Sequence, residues 1–569
     1  MNRLIKKLFE NRGYTSDYLS GIDIPTRDLL MDIPTRDLLM DIDVLCAKLK
    51  QIHDSGDKIV ILPDFDMDGI SSGTLGFAGL AELGFNVSLF IPSTKDGYGF
   101  SAKTINELIA NYPDVKAIIT CDVGISCYAG ISAAKHAGID VLVTDHHKQS
   151  QKSDADIIVD PMRIDETYEF PYICGACVLY KCLVHYSELY CDNYMQEQIS
   201  RLCVFAGIGT ISDSMPLLYE NRQLVRDSIS IMRLLYSYDD FIVNNITGCD
   251  IYRRAFRGLY NVLNVFSEND KLSSSDSITE EFIGFYMAPV FNSIKRMKDD
   301  VAHAFDVFFG SNSVSSMNYL VELNERRKED VIKYMADIET MKQPYAPYIY
   351  FSDAPEGILG LLAQKIVVTS MPAVVLRYDE DKLNKLHGSV RSPFWYPFLD
   401  KALSQSVYAG GHNPACGVGF RDVKQLKDFY DFLVKDVTTD YNKLDKSLLE
   451  FKPDFVISTT AGDGDTGIDI LLFAEYLEEL EKYHPFGSSF GKPNVLLKFH
   501  SSDSVWSLLG KEQNHIKIRL PYGFEVILWN QSEFFDMKDS NSEIRIIGNL
   551  NVNEFNGNRT INFIGNIDC

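Results

Sequence analysis

A chain of 569 residues is too long for one ordinary domain, and at about 100–200 residues per unit it holds three or four. Hydrophobic residues make up 46% and charged residues 24%, which excludes a disordered chain; a mean hydropathy of −0.09, with no apolar run of about 18 residues, excludes a membrane-spanning helix. The net charge of −24 excludes a diffuse basic surface, but it leaves room for a locally basic groove and suits a site whose carboxylates hold metal ions.

The first ten residues turn charged before a secretory core forms, and Leu4, Ile5, Leu8 and Phe9 space as an amphipathic helix. Asp23-Ile-Pro-Thr-Arg-Asp-Leu-Leu-Met31 repeats at once as Asp32 to Met40. The period is too short for a solenoid, so it reads as a local duplication in an N-terminal arm over 1–56. From Lys58 onward, strands at 58–62, 87–91, 117–120, 141–144 and 157–159 alternate with helices at 70–83, 102–110 and 128–137. That alternation predicts a parallel, doubly wound sheet over 57–225, which binds ligands beyond the carboxyl ends of its strands. Residues 226–342 read as a helical connector with a long charged helix over 317–341. A second α/β unit occupies 343–450. After the Pro/Gly boundary His484-Pro-Phe-Gly-Ser-Ser-Phe-Gly-Lys-Pro493, strands at 495–499, 516–520, 525–529, 544–547 and 560–564 predict a small OB-type β-barrel within 451–569. Eleven scattered cysteines, an odd number, predict reduced thiols in a cytoplasmic protein.

The first strand runs into Asp64-Phe-Asp66-Met-Asp68-Gly69. Taken alone, the motif reads equally well as a charged turn or helix cap. However, the third strand ends in Asp122-Val-Gly-Ile125 and the fourth in Asp145-His146-His147, with Gly209-Thr-Ile-Ser-Asp213 after a further apolar segment. Carboxylates and imidazoles thus collect at one edge of one sheet. Hard oxygen donors mixed with imidazole suit Mn²⁺ or Mg²⁺ better than a thiolate zinc site. A carboxylate shared by two such ions about 3.5–4 Å apart activates water and stabilises in-line displacement at phosphorus.

These four motifs resemble those of DHH phosphoesterases, and most closely the RecJ family of single-strand-specific 5′→3′ exonucleases. The resemblance extends to Gly97-Tyr-Gly-Phe100, Pro216-Leu-Leu-Tyr-Glu-Asn-Arg222, Gly357-Ile-Leu-Gly-Leu-Leu-Ala-Gln-Lys-Ile366, Gly388-Ser-Val-Arg391, Gly410-Gly-His-Asn-Pro-Ala-Cys-Gly417, His484-Pro-Phe-Gly487 and Leu550-Asn-Val-Asn-Glu-Phe-Asn-Gly557. It implies an α/β multidomain fold: a parallel-sheet DHH domain, the helical connector, a DHH-associated α/β domain and an OB-like barrel. It also implies site roles. Asp66 and Asp122, with Asp64 contributing, hold one Mn²⁺ or Mg²⁺. Asp68, Asp122, His146 and Asp213 hold a second, so Asp122 bridges. His147 touches the scissile phosphate or assists the leaving oxygen, and Asp145 orients a histidine. Ser389, Arg391, Gly411 and His412 grip substrate phosphates. Single-stranded DNA is the implied partner, with a single-stranded-DNA-binding protein or a helicase beside it and no membrane.

The sequence departs from the family at Pro63, where Gly is usual, and in the 410–417 segment. Pro289-Val-Phe-Asn-Ser-Ile-Lys-Arg-Met297 keeps Asn292 and Arg296 of the family's Pro-Arg-Leu-Asn-Ala-Ala-Gly-Arg but has Val290 for its first arginine. These changes bear on DNA handling more than on metal binding. Cys174-Gly-Ala-Cys177 reads as small buried cysteines at a packed helix rather than a zinc or redox pair. Lys385, Arg391 and Lys401 are candidates for a basic track, and Tyr522, Phe524, Trp529 and Phe555 for stacking on bases. Two rival readings remain: a DHH phosphodiesterase of short RNA or cyclic dinucleotides, and a non-catalytic replication scaffold.

Overall fold

Strand β1 (Lys58–Pro63) is buried from Ile59 onward, as a strand covered on both faces must be. In the computed structural model it pairs in parallel with β2 (Val87–Leu89) and β3 (Val115–Cys121), and the sheet continues through β4 (Asp140–Thr144) to β5 (Ile157–Val159). The order β2-β1-β3-β4-β5 reverses direction between β1 and β3, the switch point where doubly wound sheets open a ligand crevice. The expected parallel sheet is present, with each strand within two residues of its expected bounds.

The structure describes residues 8, 11–13, 39–92, 99–149, 151–237, 246–380, 384–449, 452–458, 476–477, 479–480, 482–510, 512–520, 524–555 and 558–567. The N-terminal helix positions Leu4, Ile5 and Phe9, nearly all of the tandem repeat, Gly97, Tyr98, Tyr522 and the Phe555 side chain lie outside them.

One face of the sheet packs Val60, Leu62, Ile118, Val141 and Val143 against Ile105, Leu108, Ile131 and Ala134 of the crossover helices. After α1 (Ile42–Ser55) and β1, the helix α2 (Met67–Glu82) is glycine-rich for a packing reason. A Cβ on Gly76 would sit 2.8 Å from Leu179 and one on Gly79 2.6 Å from Leu183, both on helix α3 (Gly175–Tyr190). Helix α4 (Cys203–Ser212) also packs on α2. The helical region includes α5 (Ala288–Met297) and the 28-residue α6 (Ser313–Thr340), which starts one turn earlier than expected.

The second sheet is mixed. Its strands are β6 (Ile349–Phe351), β7 (Ala373–Tyr378), β8 (Leu386–Arg391), β9 (Tyr408–His412) and β10 (Ala415–Phe420), in the order β6-β7-β8-β10-β9. Only β6 and β7 are parallel, and they are joined by a helix, α7 (Glu356–Ile366), as a parallel crossover requires.

Among its described residues the C-terminal region carries seven strands rather than the five expected: β11 (Phe455–Ser458), β12 (Val495–His500), β13 (Val505–Leu509), β14 (His515–Arg519), β15 (Glu525–Leu528), β16 (Glu543–Phe555) and β17 (Asn558–Ile567). β11 is only four residues long. β13 is nowhere fully buried, so it lacks the inward apolar face that marks a strand in sequence.

By packing, Met1–Asp32, Pro216–Arg226 and Glu450–Cys569 form one unit, and Ile33–Met215 with Asp227–Leu449 another. Within the first, Arg222 is fully buried with its guanidinium 4.2 Å from the centre of the Phe490 ring. It donates to the Pro485 carbonyl at 2.6 Å and to the Tyr483 carbonyl. Leu217 N donates to Ser488 O at 2.8 Å. Two motifs far apart in sequence, 216–222 and 484–487, therefore meet.

Candidate metal centre

The register of the parallel sheet aligns Pro63 with Cys121, Cys121 with Thr144 and Thr144 with Val159. The next residue on each strand is an aspartate: Asp64, Asp122, Asp145 and Asp160. Their amides continue the ladder, with Asp64 N donating to Cys121 O, Asp122 N to Thr144 O and Asp145 N to Val159 O, at 3.0–3.3 Å. Sequence reading found the first three of this row. It passed over Asp160, although Val159-Asp160 has the same strand-end form.

From Asp64 the chain turns into α2. Asp66 caps that helix, its Oδ1 accepting from Gly69 N at 3.2 Å, and Asp68 enters its first turn buried. Gly69 is obligatory here, since a Cβ would lie 2.4 Å from the Asp64 carbonyl carbon. The Asp68 carboxylate accepts from Gly175 N at 2.7 Å and Ala176 N at 3.1 Å, at the N-terminus of α3, where unpaired amides favour an anion. This is the work of the Cys174-Gly-Ala-Cys177 segment. Both cysteines are buried and in no disulfide, and burial drives the Cys174 thiol pKa upward. A Cβ on Gly209 of α4 would sit 2.2 Å from Asp68 Oδ1, and one on Gly175 2.5 Å from the Asp122 Cβ. The glycines are spaces kept for carboxylates.

Asp122 has φ +63, a left-handed conformation that costs energy for a non-glycine residue. Its Oδ1 is buried with no hydrogen-bond partner among the described residues. The Nε2 of His146 lies 3.1 Å from that oxygen, 3.7 Å from Asp213 Oδ2 and 3.9 Å from Asp68 Oδ2. Asp145 is saturated. Its Oδ1 accepts from His146 N at 2.7 Å, His147 N at 3.2 Å and His147 Nδ1 at 2.8 Å, and its Oδ2 from Ile125 N at 2.9 Å. It therefore fixes the His147 ring rather than offering oxygens to an ion.

Charge is unevenly compensated. Burial, then the neighbouring Asp68, Asp66, Asp64 and Asp145, pushes the Asp122 carboxyl well above its ordinary range. Burial and Asp68 raise Asp213 to about 8. The hydrogen bond that His147 donates to Asp145 outweighs burial and lifts its imidazole to about 9. Burial alone would raise Asp66, but the Lys295 ammonium and its hydrogen bond outweigh it and hold Asp66 at about 2. Sequence reading missed Lys295, which bonds Asp64 Oδ2 at 2.9 Å and Asp66 Oδ2 at 3.0 Å.

Three groups have ligand atoms mutually within 4.8 Å: Asp64, Asp66 and Asp122; Asp68, His146 and Asp213; Asp122, His146 and His147. All six expected ligands, and His147, fall in at least one of them, while Asp145, expected to orient a histidine, does not. The donors are oxygens and imidazoles, and the buried Asp122 Oδ1 accepts no hydrogen bond among the described residues. That set fits a hard divalent cation.

A cavity of about 300 Å³ opens on Asp66, Asp68 and Asp213 and is lined across from them by Asn292, Lys295, Arg296 and Gly357. Ser389, Arg391, Gly411 and His412 are not among its lining residues. Ser389 and Arg391 share a face of β8 over Gly360, one turn along α7 from Gly357. Gly411 and His412 are exposed on β9, the last strand of its sheet. Lys401 is bound to Asp436 and Asp440 at 2.7 and 2.8 Å, which removes it from the candidate basic track; Lys385 is exposed. Phe524 is buried in the core. Trp529 is 52% exposed and edge-on to His515, so it keeps a face for stacking. Among the described residues no helix is long and apolar enough to cross a membrane.

Comparison with known proteins agrees with this geometry. The DHH family, N-terminal domain, matches residues 58–208, and the RecJ OB domain matches residues 471–565. The single-stranded-DNA-specific exonuclease RecJ of Bacillus subtilis (strain 168) is 27% identical over 537 residues, 90% of this chain and 61% of that protein. The chain thus spans about three fifths of the length of that relative. The protein of the same name from Escherichia coli (strain K12) is 24% identical over 600 residues, covering 99% of this chain and 95% of its own. The crystal structure of RecJ from Thermus thermophilus in complex with Mn²⁺ superposes with a TM-score of 0.72 at 19% identity, over 100% of this chain and 76% of that one, and so shares the fold. The chain thus carries a DHH family N-terminal domain, built on the parallel sheet whose carboxyl ends hold the acidic cluster, and a RecJ OB domain in its C-terminal region.

Proposed function

We propose that the chain hydrolyses phosphodiester bonds of single-stranded DNA from the 5′ end, releasing mononucleotides, with two Mn²⁺ or Mg²⁺ ions. The observation that carries this reading is the buried Asp122 Oδ1, which accepts no hydrogen bond among the described residues and is set between two groups of carboxylate and imidazole donors at the switch point of the sheet. Asp64, Asp66 and Asp122 would hold one ion, and Asp68, Asp122, His146 and Asp213 the other. Bound there, such ions acidify a water and stabilise charge on the attacking and leaving oxygens of an in-line displacement. The chain supplies the rest. The α3 amides hold Asp68 in place, and Asp122, whose buried Oδ1 accepts no hydrogen bond among the described residues, would serve both ions. Asp145 grips His147 by Nδ1, which leaves Nε2 as its outward donor to a phosphate oxygen or the departing 3′ oxygen. In the metal-free chain the hydrogen bond to Asp145 raises His147 to about 9, so that donor carries its proton at neutral pH before the ions bind. Arg391, with Ser389 beside it, would bind strand phosphates through its planar guanidinium. The OB region would hold the strand by backbone charge and stacking, with Trp529 as the exposed aromatic.

The relatives named as single-stranded-DNA-specific exonucleases support this substrate. The test is degradation, with Mn²⁺, of a single strand labelled at either end, beside its duplex and an RNA copy. Mononucleotides released from the 5′ end of single-stranded DNA alone are expected. Activity confined to RNA or dinucleotides would move the chain to the phosphodiesterase reading. Bound metal without turnover on any substrate would leave a scaffold.

A further inference from the structure

Lys295 lies in the last turn of α5, and its ammonium bridges two carboxylates that the two-ion reading assigns to a metal. At 2.9 and 3.0 Å these are charge-assisted hydrogen bonds, one to each aspartate. The helix is pinned where it meets the site. Asn292 Oδ1, one turn earlier, accepts from Met67 N at 2.8 Å. On the other side, Gly357 approaches so closely that a Cβ there would lie 2.1 Å from the Arg296 carbonyl oxygen. The Lys295 backbone is therefore held, while its side chain is 28% exposed and keeps a path toward solvent.

The opposite group meets imidazoles instead of an ammonium hydrogen bond: His146 Nε2 lies 3.1 Å and His147 Nδ1 4.0 Å from Asp122 Oδ1. Asp68, Asp122 and Asp213 surround the first of these imidazoles and two backbone amides, and among the described residues the buried Asp122 Oδ1 accepts no hydrogen bond. Resting on the two-ion reading, we propose that Lys295 is a resident cation at the Asp64/Asp66 end of the site, so that a divalent ion enters there only by displacing its ammonium, while the other end is faced by imidazoles, which can stay in place as neutral ligands. A divalent ion and an ammonium cannot use the same carboxylate oxygens together without strong like-charge repulsion. Lysine suits the task because its charge is compact and its stem flexible, so it can both fill the position and leave it. The family segment that 289–297 resembles has glycine at this position, so the arrangement is a property of this chain rather than of the motif. The two ions are then unequal, bound in sequence rather than as a matched pair.

Manganese titration of the full chain without DNA tests this, by calorimetry together with electron paramagnetic resonance counting of bound Mn²⁺. The wild type should bind one ion tightly and a second at least about 10-fold more weakly. Lys295→Met should tighten the second at least about 10-fold and leave the first within about twofold. Lys295→Arg, which keeps the charge, should stay near wild type. Two ions of equal affinity in the wild type would overturn the proposal whether or not a variant folds, and so would a Lys295→Met protein indistinguishable from wild type. No bound Mn²⁺ in any of the three would instead sink the two-ion reading, and this proposal with it.

Discussion

At one end of the carboxylate cluster, Asp64 and Asp66 face the ammonium of Lys295; at the other, Asp68, Asp122 and Asp213 face the imidazoles of His146 and His147 and two backbone amides. At the first end one ammonium serves two carboxylates: Asp66 stays ionised with a pKa of about 2, while burial and the charge of Asp66 still push Asp64 upward. At the second, the carboxyls are driven upward by burial and by one another. Both ends draw on the same β1–α2 turn, so the difference lies in what packs against it. A helix end brings a cation to one side. Another helix's N-terminus brings partial positive charge to the other, beside the imidazoles of His146 and His147, and neither is a fixed ammonium.

Removing the shared residue should erase the distinction. Asp122→Ala takes away the oxygen that both ends use, and it should lower Mn²⁺-dependent hydrolysis by about 1,000-fold or more. Bound Mn²⁺ should fall as well, so full activity in this variant would end the two-ion assignment. Asp145→Asn acts one step removed. It should leave metal binding nearly intact, cost about 10–100-fold in rate, and drop the His147 pKa from about 9 toward its ordinary value, followed by NMR in the metal-free protein. An unchanged His147 titration would show that Asp145 does not orient it. Gly209→Ala presses on the amide-held end alone. Its methyl meets Asp68 Oδ1 at 2.2 Å, and unfolding should show a loss of about 1–3 kcal/mol with weaker metal binding. A silent Gly209→Ala would mean that Asp68 has room the packing denies.

The two ends also differ in how plainly they are written in the sequence. Asp64, Asp122 and Asp145 were legible because each follows a buried apolar run, and a parallel sheet brings strand ends to one edge. Asp68 and Asp213 were legible as motif members, but what holds them was not. The amides of Gly175 and Ala176 carry no side-chain signal, and two cysteines drew attention away from the glycine between them. Lys295 sits some 230 positions from the acids it binds, and only tertiary packing joins them. Its one mark was a lysine where the resembling segment has glycine. In the C-terminal sheet, strands with a buried face were found, and the short β11 and the surface-lying β13 were not.

Asp160 offers the gentlest perturbation, because it stands in the row without belonging to any of the three ligand groups. Its Oδ1 accepts from Met162 N at 2.7 Å, while its buried Oδ2 has no hydrogen-bond partner among the described residues. Burial, then the charge of Asp145, raises its carboxyl from 3.8 to about 8. A carboxyl raised on folding favours the native state fully below the unfolded value and loses that contribution as pH climbs to the folded one. The wild type should therefore lose stability from about pH 4 to pH 8 through this group. Asp160→Asn keeps the acceptor for Met162 and removes the titration. The variant should match the wild type near pH 4 and exceed it near pH 8, by on the order of 1 kcal/mol or more, since every tenfold change in proton affinity between the folded and unfolded chain corresponds to about 1.4 kcal/mol. Denaturant melts at the two pH values decide it, and parallel curves would mean that Asp160 is already ionised in the fold. The same melts repeated with Mn²⁺ separate the row's roles. A bound cation should stabilise both proteins equally if Asp160 is a bystander, and should stabilise the wild type more if its carboxylate feels the ion.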